Sequence, residues 1–301
     1  MNTTMQGERV WYSPAVRALI AQLGIDPVAV TGTGRDGRVT RDDMLRASNE
    51  TRSQKPGAGK GVSQPSGDLI PISRIRRMTA ENLMHTIREA PMERVYTTVD
   101  WTALIGARAA MRAAFEAEHG VPLTYMPFIL RGIVVAARRY PRVNSRWMAE
   151  GPETLPALNI GVAVSTDDGL HVPIVHHAED FSVVGLARAL HRVISAARER
   201  RLTITDIQGG TITVTNPGPF GTLRSAPIIP PGQSAILGVD GVRAVPMVVD
   251  GAITIHSVAT IGLTYDARLC DEGDAVPCLG ALREWLEGGF IAETRQYGSP
   301  A

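Results

Sequence analysis

Two stretches of this sequence gather side chains that can do chemistry. In the first, Gly209 to Gly221 (GGTITVTNPGPFG), the β-branched run Thr211 to Thr215 has strand character and enters an Asn216-Pro217-Gly218 turn. A strand ending there presents Thr215, with its hydroxyl, where the loops of a site could form. Read alone, the same threonine is an ordinary strand residue. The second stretch is Thr264 to Gly273 (TYDARLCDEG), which places Asp266, Arg268, Asp271 and Glu272 close together. It follows an apolar strand over 258–266 and leads into a helix over 271–287 with Ala275, Leu279, Leu282 and Leu286 inward. A solvated carboxylate has a pKa near ~4 and is a weak base at neutral pH. Ala267, inside this cluster, carries a methyl group that accepts no proton.

The elements that must hold these stretches are legible from periodicity. Apolar spacing behind Ser73 predicts a helix over 72–84, and Tyr96 to Asp100 has strand content. Amphipathic spacing predicts helices over 102–118 and 127–139, the second interrupted by Arg131. Residues 159–164 and 168–175 are predicted as two buried strands around a turn, and Ser182 caps a helix running to about Arg201. Upstream lies a smaller pattern. Ser13-Pro14 caps a helix carrying Val16, Leu19, Ile20 and Leu23 that Gly24 stops. A glycine-punctuated loop over 30–39 follows, and Thr40 to Asp43 caps a second helix carrying Met44 and Leu45. Between the two patterns, residues 49–68 (NETRSQKPGAGKGVSQPSGD) are polar and rich in Gly, Pro and Ser, which predicts a flexible linker with a reach of roughly 25 Å. The expected organisation is therefore a small helical domain over 8–48, a linker over 49–68 and a large domain over 69–295.

Bulk properties bound the partners. At 301 residues with 44% hydrophobic content, the chain can build one sizeable core and one small one. With Lys+Arg at 31 against Asp+Glu at 30, no global field draws it to nucleic acid or an anionic surface. Cys270 and Cys278 form no CxxC and have no histidine pair nearby, so they read as reduced structural thiols, and no metal site is expected. No run approaches the ~20 apolar residues that span a bilayer, and the first residues lack a signal-peptide pattern. A cytoplasmic location is expected.

The motifs together resemble a known family. Asp266-Ala267-Arg268-Leu269-Cys270-Asp271 is similar to the D-H-R-x-x-D-G segment of dihydrolipoamide acyltransferases, the core subunits of 2-oxo acid dehydrogenase complexes, and of their chloramphenicol acetyltransferase relatives. Asn159 to Val164, Gly169 to Ile174, Gly209 to Gly218, Ala226 to Pro231 and Ala235 to Gly238 match that family's N-I-G-[IV]-A-V, G-L-x-V-P, G-G-T-F-T-x-[ST]-N-x-G, x-P-I-I-x-P-P and A-I-L-G in order. Ser13 to Arg17 and Gly32 to Asp43 resemble its peripheral subunit-binding domain. A nucleotide-binding reading of that glycine loop has little support, since no strand precedes it.

The resemblance implies an α+β two-layer sandwich of the chloramphenicol acetyltransferase type plus a small helical binding domain. It implies that Thr215 donates to the oxyanion, that Ala267 occupies the place of the general-base histidine, and that Asp271 supports the site or assists proton handling. Asn216 and Gly218 would contact substrate, and Arg17, Arg35 and Arg38 would dock a partner protein, unless these arginines are merely solvated. Glu272 stands where the family has glycine. His171, His176 and His177 fall in segments the family does not use for chemistry. Because no lipoyl attachment site is seen, the expectation is transfer of an acyl, notably acetyl, group from acyl-CoA or another acyl thioester to a hydroxyl or thiol acceptor. Tetronate-like natural-product biosynthesis is the expected setting, with no bound cofactor. A homotrimer or larger cage with active sites between subunits follows from the same resemblance. The alternatives are a non-catalytic scaffold that recruits a partner enzyme, and a dehydrogenase-complex core served by a separate lipoyl protein. Ala267 reads either as an engineered removal or as a natural loss, and the intact motifs around it favour an active parent.

Overall fold

The computed structural model describes residues 12–23, 25–53, 68 and 70–294. Gly24, and most of the stretch expected as a linker, lie outside the described residues. The chain divides into two compact units, the first ending at Ile70 and the second beginning at Pro71.

In the first unit, α1 (Pro14–Leu23) starts where Ser13 Oγ accepts the Val16 N–H, and α2 (Arg41–Ser53) follows the glycine loop. Helix α2 thus continues to Ser53, past the expected boundary at residue 48. Val16 and Met44 are fully buried, whereas Leu45, next to Met44 on α2, faces solvent. Asp43 holds the loop. Its carboxylate accepts the backbone N–H and hydroxyl of Thr33 at 2.9 and 2.8 Å and those of Thr40 at 2.9 and 2.8 Å, and it pairs with Arg46 at 2.8 Å. The loop donors that would cradle a phosphate in a nucleotide-binding protein are therefore satisfied by an internal anion. Arg17, Arg35 and Arg38 are exposed.

In the second unit, Ser73 caps α3 (Arg74–Glu89), which leads into β1 (Met92–Asp100). Helices α4 (Thr102–His119) and α5 (Met126–Arg139) follow, then a small ribbon of β2 (Ser145–Met148) and β3 (Gly151–Thr154). The segment expected as two strands is four short ones: β4 (Ile160–Val162), β5 (Val164–Thr166), β6 (Gly169–His171) and β7 (Ile174–Val175). β4 and β7 join the main sheet, while β5 and β6 pair only with each other. Ser182 caps α6 (Val183–Arg198), and Thr203 and Asp206 form a reciprocal cap on α7 (Ile204–Ile207). Then come β8 (Ile212–Thr215), β9 (Ala235–Val239), β10 (Arg243–Val249), the long β11 (Ala252–Asp266), α8 (Glu272–Glu284) and α9 (Ile291–Thr294).

The main sheet runs β1-β11-β9-β8-β4-β7, with β10 also paired to β11; β9, β8 and β4 are mutually parallel and the other pairings antiparallel. Alternation assigns its two faces. Ile212 and Val214 of β8, and Ala259, Ile261, Leu263 and Tyr265 of β11, enter the core shared with α4, α5, α6 and α8. Thr213 and Thr215, and Gly262, Thr264 and Asp266, therefore lie on the opposite face. Arg131, the interruption in α5, is neutralised by a bidentate pair with Glu293 at 2.8–3.0 Å. Among the described residues no helix is long and apolar enough to cross a membrane.

Cys270 and Cys278 are free and buried, and burial pushes both thiols up to about 12. Thiolate is the reactive form. Neither cysteine should be alkylated by iodoacetamide at pH 8 in the folded protein, while both react in denaturant; intact-mass spectrometry separates the two outcomes.

Candidate active site

Thr215 closes β8, half-buried, on the face away from the helices. In register it faces Gly238, which faces Gly262, which faces Tyr96. The two glycines leave room for what lies above them. A Cβ at Gly238 would come within 2.7 Å of Ser225 Oγ, and one at Gly262 within 2.6 Å of the Tyr96 ring. The Arg224 guanidinium stacks over that ring at 3.7 Å from its centroid, within the range of a cation–π contact. After Thr215, the exposed Asn216 accepts the Gly218 N–H on its Oδ1 at 3.1 Å, which fixes the turn.

Ala267 follows β11 directly and is half-buried. Its N–H donates to the Pro91 carbonyl at 2.9 Å, and the Asp266 N–H donates to the Ser234 carbonyl at 3.0 Å. Asp266 is 3% exposed and takes the Arg268 backbone N–H at 3.0 Å and its guanidinium at 2.7–3.2 Å. That hydrogen-bonded carboxylate raises the Arg268 pKa further, so the pair is a permanent clamp on the turn carrying position 267. Arg268 also lies over Trp147 at 5.3 Å. Asp271 is the residue ahead of α8; it is exposed, and its side chain makes no capping bond.

The structure does not bring Thr215 and Ala267 together within one chain. β11 runs antiparallel to β9, and β9 parallel to β8, so the end of β11 lies beside the start of β8. From Gly262, in the row of Thr215, to Ala267 is five residues, or roughly 16 Å at the rise of a strand.

His171 and His256 are each engaged away from position 267. His171 bonds Asp168 at 3.3 Å on the β5–β6 hairpin, which is separate from the main sheet that carries Thr215 and Ala267. His256 sits between Asp100 Oδ2 at 2.5 Å and Thr254 Oγ1 at 2.9 Å, six residues along β11 from Gly262 on the arm formed with β10. Tyr265 donates to Glu93 at 2.7 Å, and burial and that carboxylate push its pKa up, which removes it as a base. Among the described residues, the grouping with donor atoms close enough for a metal ion is His177, Glu179 and Asp180, on a turn where Glu179 already accepts the Leu158 N–H. Sequence reasoning missed Thr222, Ser225 and Asp240, which are bonded to one another's segments, with Ser225 over Gly238, the register partner of Thr215. They occupy no motif spacing, and only their nearness to the x-P-I-I-x-P-P and A-I-L-G segments hinted at them.

Residues 64–290 match the model of the 2-oxoacid dehydrogenases acyltransferase (catalytic domain), and residues 10–45 match that of the e3 binding domain. The chain belongs to the 2-oxoacid dehydrogenase acyltransferase family. This acyltransferase is 33% identical over 282 residues, 91% of the chain and 70% of the relative, to the dihydrolipoyllysine-residue succinyltransferase component of the Escherichia coli 2-oxoglutarate dehydrogenase complex. It is also similar to the solved dihydrolipoamide acetyltransferase of Azotobacter vinelandii, at 26% identity and a TM-score of 0.72 over 79% of this chain and 98% of that one. In that enzyme the catalytic roles of a serine, a histidine and an asparagine were investigated. The cubic core of a pyruvate dehydrogenase multienzyme complex matches with the same identity, coverage and TM-score. The fold is the mixed α/β, chloramphenicol acetyltransferase-like one expected of an acyltransferase. One expectation is corrected. The relatives are named for a dihydrolipoyl group, which overturns a reaction running from acyl-CoA with no lipoyl participant. Nothing in the relatives' names supports a tetronate-like natural-product setting.

Proposed function

We propose that this acyltransferase exchanges an acyl group between the thiols of a dihydrolipoyl group and coenzyme A as the core component of a 2-oxoacid dehydrogenase complex. The reading is carried by spacing within a shared fold. The serine, histidine and asparagine studied in the Azotobacter enzyme are separated by 52 and then four residues, and Thr215, Ala267 and Asp271 by the same intervals. In the step so supported, the attacking thiol loses its proton as its sulfur bonds to the thioester carbon. The carbonyl oxygen takes negative charge and receives the Thr215 O–H, after which the original carbon–sulfur bond breaks and the departing thiolate regains a proton. Ala267 leaves the first proton to solvent, so this chain performs the exchange slowly. Asp271, exposed beside that position, assists proton handling. Asn216 and Gly218 shape the turn that receives substrate. The first unit docks a partner enzyme through Arg17, Arg35 and Arg38. A scaffold role remains the second reading, favoured by Ala267 itself.

Because Thr215 and position 267 stand roughly 16 Å apart along one sheet, we infer that each site is shared between copies in a trimer or larger assembly. Mixing tests this. A Thr215→Val/Ala267→His chain has a base but no hydroxyl, and the parent chain has the hydroxyl but no base. Co-expressed, they are expected to exchange acyl groups at least about a hundredfold faster than either alone. If Ala267→His alone is active and the mixture is not, the site lies within a single chain.

A further inference from the structure

Several polar side-chain atoms are buried without a partner among the described residues, and three of them, Thr222 Oγ1, Ser225 Oγ and Asp240 Oδ1, belong to two segments bonded to each other next to Gly238, the register partner of Thr215. The backbone ties them into one knot. The Ser225 N–H donates to the other oxygen of Asp240 at 3.0 Å, and the Gly241 N–H donates to the Thr222 carbonyl at 2.8 Å. Ser225 Oγ stands over Gly238, the register partner of Thr215, and a Cβ on Gly218 would come within 2.7 Å of the Asp240 carbonyl. Asp240 itself is 2% exposed. Buried polar atoms are nearly always paired, so three unpaired ones on one side of a reaction centre call for a group from outside the chain. A carboxylate oxygen only accepts and a hydroxyl does both, so the group they fit carries a donor.

We propose that Thr222, Ser225 and Asp240 form an acyl-specificity subsite that takes an uncharged, hydroxyl-bearing acyl group and turns away one ending in a carboxylate. This rests on the acyl-transfer reading above and deepens it. An acyl carbonyl held at Thr215 places the next carbons within about one strand spacing, ~4.8 Å, of Gly238 and the Ser225 hydroxyl above it. There an acyl hydroxyl donates to Asp240 and accepts from Ser225 or Thr222. A second carboxylate would meet Asp240 in a site with little water to screen the repulsion. Arg224, the neighbouring cation, does not reverse this, because it is exposed and its guanidinium is held out over Tyr96. The segment covering the subsite turns on Gly221, at φ 76°, and carries Phe220 84% and Leu223 59% exposed, so it is the part that shifts to admit the acyl group. The specificity therefore departs from that of the succinyltransferase of Escherichia coli to which the chain is similar.

The test is calorimetric binding of acetyl-CoA, glycolyl-CoA and succinyl-CoA to the full chain, to Asp240→Asn and to Thr222→Val/Ser225→Ala, with thermal melts to confirm that each variant folds. Glycolyl-CoA is expected to bind most tightly, and succinyl-CoA about tenfold or more weakly than acetyl-CoA. Asp240→Asn should bring succinyl-CoA close to acetyl-CoA, and the double variant should remove the glycolyl advantage while sparing acetyl-CoA. Succinyl-CoA binding as well as acetyl-CoA in the parent, or a succinyl preference that Arg224→Gln abolishes, overturns the proposal. So do folded variants whose ratios match the parent's, which would mark the pocket as the seat of an internal water. Absence of binding by all three thioesters sinks the acyl-transfer reading, and this one with it.

Discussion

Ala267→His is expected to raise the rate of acyl exchange between acetyl-CoA and dihydrolipoamide by roughly 10²–10⁴, the usual contribution of a positioned general base. The site is otherwise prepared for it. The turn after β11 is held by the Ala267 N–H to Pro91 and by the Asp266–Arg268 clamp, neither of which depends on the side chain at 267. The new imidazole therefore starts from a fixed backbone, the condition under which proximity contributes most. The gain should fall in kcat with little change in KM for either thiol, because the base acts on a proton in flight and not on ground-state binding. Adding Thr215→Val to the same chain should remove about 10²–10³ of the restored rate, the worth of one oxyanion donor. A histidine variant that binds acetyl-CoA yet turns over no faster than the parent would detach position 267 from the chemistry and leave the scaffold reading in possession.

Asp43→Ala is expected to unfold the first unit while leaving the second intact. That unit buries little apolar surface, with Val16 and Met44 its fully buried side chains among the described residues. Its loop takes its shape from one carboxylate that accepts two backbone N–H groups and two hydroxyls and pairs with Arg46. An alanine there strands buried donors and also releases the start of α2. Amide exchange should show residues 12–53 losing protection, with β8, β9 and β11 unchanged, and docking of any partner protein should vanish without loss of acyl-CoA binding. The same carboxylate predicts an acid response. Its hydrogen bonds lower its pKa in the fold, so its contribution is complete above the unfolded value of about 4 and drains away as pH falls below that. Retained protection in Asp43→Ala would show that helix packing alone holds the unit.

Much of this was readable in advance because it is local. Ser13, Ser73 and Ser182 each cap the helix expected of them, and the inward set expected over 271–287 is buried as its spacing requires, with Ala275, Leu279 and Leu282 on α8 and Leu286 on the wider turn that follows it. Where readings failed, the cause was non-local. Residues 159–175 have the content of two strands, yet only Ile160–Val162 and Ile174–Val175 reach the main sheet, and the residues between fold back on themselves as a hairpin around Asp167-Asp168. Thr215 and Ala267 were both legible as strand ends. That their ends point in opposite directions follows from β11 running against the parallel pair β8 and β9, a property of topology and not of spacing. Thr222, Ser225 and Asp240 were missed for the same reason, since a polar residue shows itself as unpaired only when its neighbours in space are known.

The roughly 16 Å along the sheet between Thr215 and Ala267 gives the subunit a direction on the shared-site reading proposed above. A contact that brings one copy's Thr215 to another copy's position 267 joins unlike surfaces, so copies meeting that way pack head to tail and either close into a ring or run on as a filament. Within such a closed ring, a subunit bearing alanine at 267 would silence the site it shares on one side while lending a working hydroxyl to the site on the other. Blended with histidine-bearing relatives, it would subtract one site per copy, and output would fall in proportion to its dose.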